Sequence, residues 1–190
     1  LVLKNLIGIT TVEKMDKVEA EALEVAVDQL VRTYDEEHRF TATDICKIHK
    51  LWMGSIYEWA GKYRNVNISK GNFPFAAAMQ IPSLMDALEK DLLCRYTPCK
   101  GMERNALVEA LAVVHTELVL IHPFREGNGR VARIISSLMA LQAGLPLLDF
   151  SAIEGEKKEA YFASVQAGLG RNYKSMGNIF EEIIRKTISE

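Results

Sequence analysis

One stretch constrains this chain more than any other: His122-Pro123-Phe124-Arg125-Glu126-Gly127-Asn128-Gly129-Arg130, set between two apolar runs. Leu118-Val119-Leu120-Ile121 leads into it and Val131 to Ala143 leaves it, both with helical character. Pro123 has no backbone donor and disfavours helix at the residue before it, so the first helix stops near Ile121 or His122. Gly127 and Gly129 admit backbone angles closed to other residues and let a ligand approach bare backbone. The second helix then starts at about Asn128, with its unpaired N–H groups pointing back at the loop. A glycine-rich approach to a helix N-terminus is an anion site, and phosphate is the usual anion.

The side chains agree with that expectation. Arg130 and Arg133 are three apart and share a helix face. Two guanidiniums there suit a polyphosphate better than a single carboxylate. Glu126 fits beside phosphates if magnesium lies between them, held by one carboxylate and the substrate. His122 sits at the mouth, where a neutral imidazole can take a proton from an incoming hydroxyl. Phe124 is expected to turn inward and anchor the loop. A structural helix–turn–helix with an ordinary polar loop accounts for a lone His-Pro or Gly-Asn-Gly, but not for base, carboxylate, glycines, Asn and two Arg within twelve residues.

His122 to Arg133, HPFREGNGRVAR, resembles the signature of the Fic family, His-x-Phe-x-Asp/Glu-Gly-Asn-Gly-Arg-x-x-Arg, and meets every position of it. The resemblance implies a mainly α, single-domain Fic-type helical bundle over residues 1–190. It implies a β-hairpin flap at about 63–76 and the signature loop and helix at 122–143. The implied activity is transfer of AMP from ATP to a Ser, Thr or Tyr hydroxyl of a target protein, with magnesium on Glu126 bridging the α- and β-phosphates. In that scheme Asn128 and the loop amides, Gly127 and Gly129 among them, hold the α-phosphate. Arg130 and Arg133 hold the β and γ end, and His122 takes the hydroxyl proton. Tyr161, on the helix after the signature helix, corresponds to an aromatic set against the adenine. Relatives often carry an Asn near the end of that helix; here Gly168-Leu169-Gly170 supplies none before Asn172. Ile68-Ser69-Lys70-Gly71 with Phe73 and Phe75 resembles the flap that lines up a target segment by strand addition.

Other readings share the loop. Doc-type relatives, which phosphorylate, replace the second glycine with a bulkier basic residue, and phosphocholine-transferring relatives change the first. Both glycines are intact here. A de-adenylylating enzyme would use the same loop. A non-catalytic nucleotide-binding or interaction module needs no base such as His122.

The remaining chain bounds the setting. Its 190 residues are enough for one domain with a real core, and a net charge of -2 points to no broad nucleic-acid or anionic-membrane surface. Three cysteines, Cys46, Cys94 and Cys99, lack metal-like spacing and read as reduced thiols of a cytoplasmic protein. No secretory leader and no membrane-length apolar run stands out. The chain begins at Leu1 rather than Met, which leaves room for an upstream segment.

Residues 1–9 read as a packed arm. A first helix runs from a cap at Thr10 or Thr11 to about Thr33, and a second from Thr43-Asp44 through Trp59, stopped by Gly61. Residues 63–68 alternate like a strand, Ser69-Lys70-Gly71-Asn72 is turn chemistry, and Phe73-Pro74-Phe75 resumes extended chain. Helices follow at about Ala77–Tyr96, Met102–Ile121, Glu156–Ala167 and Ser175–Ile188. His115 reads as a hydrogen-bonded core histidine, while His38 and His49 have no partner that the sequence names. Trp52 and Trp59 read as core.

Many Fic proteins carry an inhibitory helix, Ser/Thr-x-x-x-Glu-Gly/Asn, whose Glu pairs with the second signature arginine. Only Thr33-Tyr34-Asp35-Glu36-Glu37 has that spacing here, with His38 where Gly or Asn is expected, and the tail from Phe180 to Glu190 has no match. The expectation is that no inhibitory helix of this chain restrains Arg133, and that a separate antitoxin-like protein supplies the glutamate. Leu3 to Ile9 resembles the toxin branch of the family in which such partners occur.

Overall fold

The structure is a computed structural model and describes residues 2–153 and 155–189; Leu1 and Glu190 lie outside them. Helices dominate. Helix α1 (Val12–Thr33) and helix α2 (Ala42–Met53) pack on each other ahead of the two-stranded flap, β1 (Ser69–Lys70) and β2 (Phe73–Pro74). Helix α3 (Ile81–Ala87) continues through a π-helical segment, Leu88–Leu93, into the short α4 (Cys94–Tyr96). Helix α5 (Arg104–Ile121) and helix α6 (Asn128–Gln142) flank the signature loop, and α7 (Lys158–Ala167) and α8 (Lys174–Thr187) close the bundle.

Helix α5 is the axle. Its run of Leu, Val, Ala and Ile is buried on nearly every side, as a helix that is apolar all round must be, and α6 and α8 pack against it. Leu111, Val114 and Leu118 join Phe124, Ile135, Met139 and Phe180 in one continuous core. His115 is fully enclosed there. Its Nδ1 lies 3.1 Å from Ser136 Oγ and its Nε2 2.9 Å from Tyr161 Oη, so it is a hydrogen-bonded core histidine. Burial holds it well below its ordinary value, at about 3, and the Arg133 charge pushes the same way.

Two sequence expectations shift. Helix α2 starts at Ala42, a residue or two earlier, on a capping box in which Thr41 Oγ1 accepts from Asp44 N and the Asp44 carboxylate accepts from Thr41 N. It also ends at Met53 rather than reaching Trp59. Gly54 favours helix poorly, and the Ile56 N–H turns back to Met53 O while its own carbonyl accepts from Leu6 N. The aromatic and aliphatic residues after Gly54 keep helical spacing but line turns. Gly61, at φ +76°, presses against α2, where a Cβ would stand 2.7 Å from Lys50 Cβ.

The second shift concerns residues 63–68, which are not a strand. Before Ile68, whose carbonyl accepts from Phe75 N, their backbone groups go elsewhere: Arg64 N–H to Pro123 O, and Val66 O to the Arg64 guanidinium. The ladder lies later, pairing Ser69 with Pro74 and Lys70 with Phe73 around Gly71-Asn72, so Ser69 and Lys70 are strand rather than turn. Cys46, Cys94 and Cys99 form no disulfide in the structure.

Candidate active site

Helix α5 ends on His122, which adopts the left-handed conformation at φ +52° and donates its N–H to Leu118 O. That is costly for a residue with a Cβ and persists only where neighbours fix it. Three do so here. Arg64 Nε donates to His122 O at 2.7 Å, the Phe75 ring stacks on the imidazole at 3.6 Å, and Nδ1 sits 2.9 Å from Val119 O. A carbonyl only accepts, so Nδ1 carries the proton and Nε2 keeps its lone pair. Burial, with the Arg64 and Lys70 charges, holds His122 down at about 4, so it is neutral at ordinary pH.

The loop beyond it is built from inside. Phe124 is wholly buried, and both ends of the Asn128 carboxamide grip its backbone, Oδ1 accepting from Phe124 N at 2.7 Å and Nδ2 donating to Phe124 O at 2.8 Å. The family resemblance implies that Asn128 helps hold the α-phosphate; in the structure its carboxamide braces the loop. His49, which the sequence left without a partner, stacks on Phe124 with ring centres 3.9 Å apart and planes 4° apart. Its Nδ1 accepts from Gly61 N, so its Nε2 carries the proton and donates to Glu126 O.

Gly127, at φ +81°, lies on the Trp52 ring, where a Cβ would come within 2.7 Å of Cζ3. Gly129 differs: a Cβ there would meet nothing within 4 Å, so its bareness keeps space open rather than allowing close packing. Helix α6 begins at Asn128, as the sequence predicts, and presents its first N–H groups to that space.

The charges surround the same opening. Glu126 is about half exposed, and its Oε1 accepts from Gly127 N and from Arg130 Nη2. Arg130 also donates to Glu19 Oε2 at 2.7 Å and lies over the Trp52 ring. Glu19, on α1, is 5% exposed, accepts from Tyr57 Oη and offers its carbonyl to Trp52 Nε1. Arg133 sits with its guanidinium carbon 5.6 Å from the Phe150 ring centre. Thr33 to Glu37 forms no inhibitory helix: α1 ends at Thr33, and Glu37 pairs with Lys100.

These groups line a cavity of about 990 Å³ whose far wall is the flap, with Ile68, Ser69, Lys70, Gly71, Phe73 and Phe75. Lys70 Nζ lies 3.6 Å over the Phe162 ring, bridging flap and α7. Tyr161 also reaches the cavity wall, but it is 6% exposed with its hydroxyl turned to His115. Phe162, one residue on, is the more accessible aromatic. Among the described residues no group of three or more His, Cys, Asp or Glu could hold a metal alone. Glu126 by itself fits a hard cation that arrives with a phosphate ligand.

The chain belongs to the Fic/DOC family, which it matches over residues 39–140. It is 32% identical over 189 residues to protein adenylyltransferase VbhT of Bartonella schoenbuchensis, an alignment that covers all of this chain and 37% of VbhT. It is 32% identical over 137 residues to the probable protein adenylyltransferase Fic of Escherichia coli K12, covering 72% of this chain and 66% of that one. Among solved structures it superposes on BepC of Bartonella tribocorum, a VirB-translocated effector crystallised with AMPPNP, with a TM-score of 0.77, 26% identity, and 96% and 91% of the two chains covered. The chain therefore spans little more than a third of VbhT and about two thirds of the E. coli protein.

Proposed function

We propose that this chain is a protein adenylyltransferase that moves AMP from ATP to a hydroxyl of a target protein. The observation that carries the reading is His122: a partly buried, neutral imidazole whose Nδ1–H is tied to Val119 O, leaving Nε2 as a base beside a helix N-terminus. Relatives named protein adenylyltransferases and a structural relative that holds AMPPNP support the same reading. In the reaction the target hydroxyl oxygen bonds to the α-phosphorus as pyrophosphate leaves, and the hydroxyl proton passes to His122 Nε2. The α6 N-terminal amides around Gly127, Asn128 and Gly129 receive the α-phosphate, and Arg130 and Arg133 receive the β and γ end. Tyr161 and Phe162 border the side where the base would lie.

Glu126 is the residue that would hold magnesium, which when bound supplies charge neutralisation across the phosphates. Calorimetry tests this: Glu126→Ala weakens ATP binding in the presence of magnesium and leaves metal-free binding unchanged. Equal losses in both would make Glu126 structural.

The flap, from Ile68 to Phe73, receives the target segment along its exposed edge, by strand addition. A separate, antitoxin-like protein restrains the enzyme. A second groove of about 370 Å³ supports that partner: Leu23, Val27, Leu30, Leu147 and Leu148 line it, and it opens on Arg130 and Arg133, as a helix carrying one glutamate would need. Three unbonded thiols suit a cytoplasmic setting.

Incubation of the purified chain with magnesium and ATP labelled at the α-phosphate, in a lysate of its own cells, is the test. Label on protein from α- but not γ-labelled ATP is expected. Label from γ-labelled ATP would mean phosphoryl transfer, and no label from either would overturn catalysis.

A further inference from the structure

Arg64 is 3% exposed, and among the described residues no carboxylate pairs with it. A buried guanidinium without a counter-ion is tolerated only where oriented dipoles replace its water. Four backbone carbonyls do so. Nε donates to His122 O at 2.7 Å, Nη1 to Val66 O at 2.6 Å, and Nη2 to Ala76 O at 2.6 Å and Ile121 O at 3.4 Å. Its own N–H donates to Pro123 O.

The choice of carbonyls is informative. Ile121, His122 and Pro123 carry the base. Val66 and Ala76 are the two legs of the flap, one before β1 and one after β2. The hairpin itself is short: two residue pairs and the Phe75 N–H to Ile68 O bond. Little else ties it to the bundle beyond Ala76 N to Leu120 O, Ala78 N to Asn67 Oδ1, the Phe75 ring on His122 and Lys70 over Phe162. One planar fork, with its donors in fixed directions, thus ties both legs and the base carbonyl into a single plane.

We propose that Arg64 registers the flap on the catalytic base, as a positioning residue that sets where a flap-docked hydroxyl lies relative to His122 Nε2. This rests on the adenylyltransferase reading above. Arg64 touches neither the phosphate-binding turn nor α6, which hang instead from His49, Trp52 and Phe124. Two halves of the reaction therefore separate: nucleotide handling does not depend on Arg64, and transfer to protein does.

The test uses the full chain, with Arg64→Lys, which keeps the charge but loses the planar fork, and Arg64→Gln, which keeps two donors and loses the charge. Three quantities are measured: Kd for magnesium-ATP, the rate of AMP release to water, and kcat/KM for AMP transfer to the target found in the labelling experiment. Transfer to protein is expected to fall at least about tenfold in both variants, as for loss of more than one hydrogen bond to a charged group. ATP affinity stays within about twofold, and AMP release to water, which draws on His122 but not on the flap, falls less than transfer to protein. Transfer equal to the parent's overturns the proposal. So does a parallel loss of transfer, water reaction and ATP affinity, or loss of the fold in both variants, since each would make Arg64 a general strut. If the parent itself labels no protein, the adenylyltransferase reading has failed, which is a separate result.

Discussion

The signature loop and the flap face each other across one cavity, and they are held in place by opposite means. The loop is fixed from beneath. Phe124 is sunk in the core, Asn128 grips its backbone at both ends, His49 holds the Glu126 carbonyl, and Trp52 fills the space under Gly127. The flap has two-residue strands, mostly exposed side chains, and a hold on the bundle concentrated at its legs. A pair of strands that short is marginal alone. The difference matches the two tasks proposed for them. Phosphate positioning needs groups fixed in advance, whereas an edge that receives a peptide needs open backbone. Changes in the loop should therefore damage chemistry or nucleotide binding, and changes in the flap should damage only the use of a protein target.

The largest effect is expected at the meeting point of the two regions. His122→Ala removes the base and should slow transfer by about 10²–10⁴ while ATP affinity persists. The parent's rate should show no acid limb between pH 5 and 8. A base with a depressed value is in its active, neutral form above about 4, and His122 sits there because of burial and the Arg64 and Lys70 charges. An acid limb near 6.5 that vanishes in His122→Ala would show the imidazole to be solvated rather than enclosed.

Next is Gly127→Ala, which asks whether the loop is as rigid as its packing implies. A left-handed conformation costs a residue with a Cβ about 1–2 kcal/mol. The new methyl would also stand 2.7 Å from a buried indole, an overpacking strain of about 1–3 kcal/mol. ATP affinity should fall by at least about tenfold, or the melting temperature should drop. A variant with parental affinity and stability would show the loop to be pliable, and the contrast with the flap would disappear.

How far the sequence revealed these two regions depends on the range of their contacts. The loop is local. Proline after the base, glycine before the new helix and Asn128 at its start act within a few residues, so the chain itself indicates where α5 stops and α6 begins. Its supports are not local. His49 lies 77 residues from the carbonyl it holds, Glu19 lies 111 from Arg130, and Arg64 lies 58 from His122. Nothing in the spacing of α2 marks His49 as different from an ordinary helix-face residue. The flap misled for a related reason. Residues 63–68 alternate in polarity like a strand, yet Arg64 commits its N–H and guanidinium to carbonyls of the signature loop and the flap's legs, and the ladder starts only at Ser69. The aromatic positions after Gly54 keep helical spacing because they face the core from a series of turns. Tyr161 could be placed on α7 from sequence, but its hydroxyl is committed to His115, 46 residues away.

A smaller and more selective effect should come from the flap itself. Ile68→Pro removes an N–H from the leading edge of β1 and restricts Asn67, whose Oδ1 accepts from Ala78 N. Losing one or two such hydrogen bonds, at about 0.5–1.5 kcal/mol each, lowers transfer to the target roughly three- to tenfold. ATP affinity should hold. A matching loss of ATP affinity would show that the flap supports the phosphate site, and the two regions would then be one unit.

The smallest effect belongs to Glu37→Gly, outside both regions. Glu37 stands where an inhibitory glutamate would stand by sequence spacing, yet α1 ends before it and its carboxylate lies 2.6 Å from Lys100 Nζ on an exposed surface. Its neighbours Asp35 and His38 offer their carbonyls to the Gln142 side chain, at the far end of α6. Gln142 is nine residues beyond Arg133, which is about 13.5 Å along a helix at 1.5 Å per residue. An exposed, solvent-screened ion pair contributes little to stability, so melting should barely move and AMP transfer should be unchanged. A strong rise in activity in Glu37→Gly would mean that this segment reaches the signature arginines in solution. The chain would then restrain itself, the separate inhibitory protein would be unnecessary, and the Leu23–Leu148 groove would need another occupant.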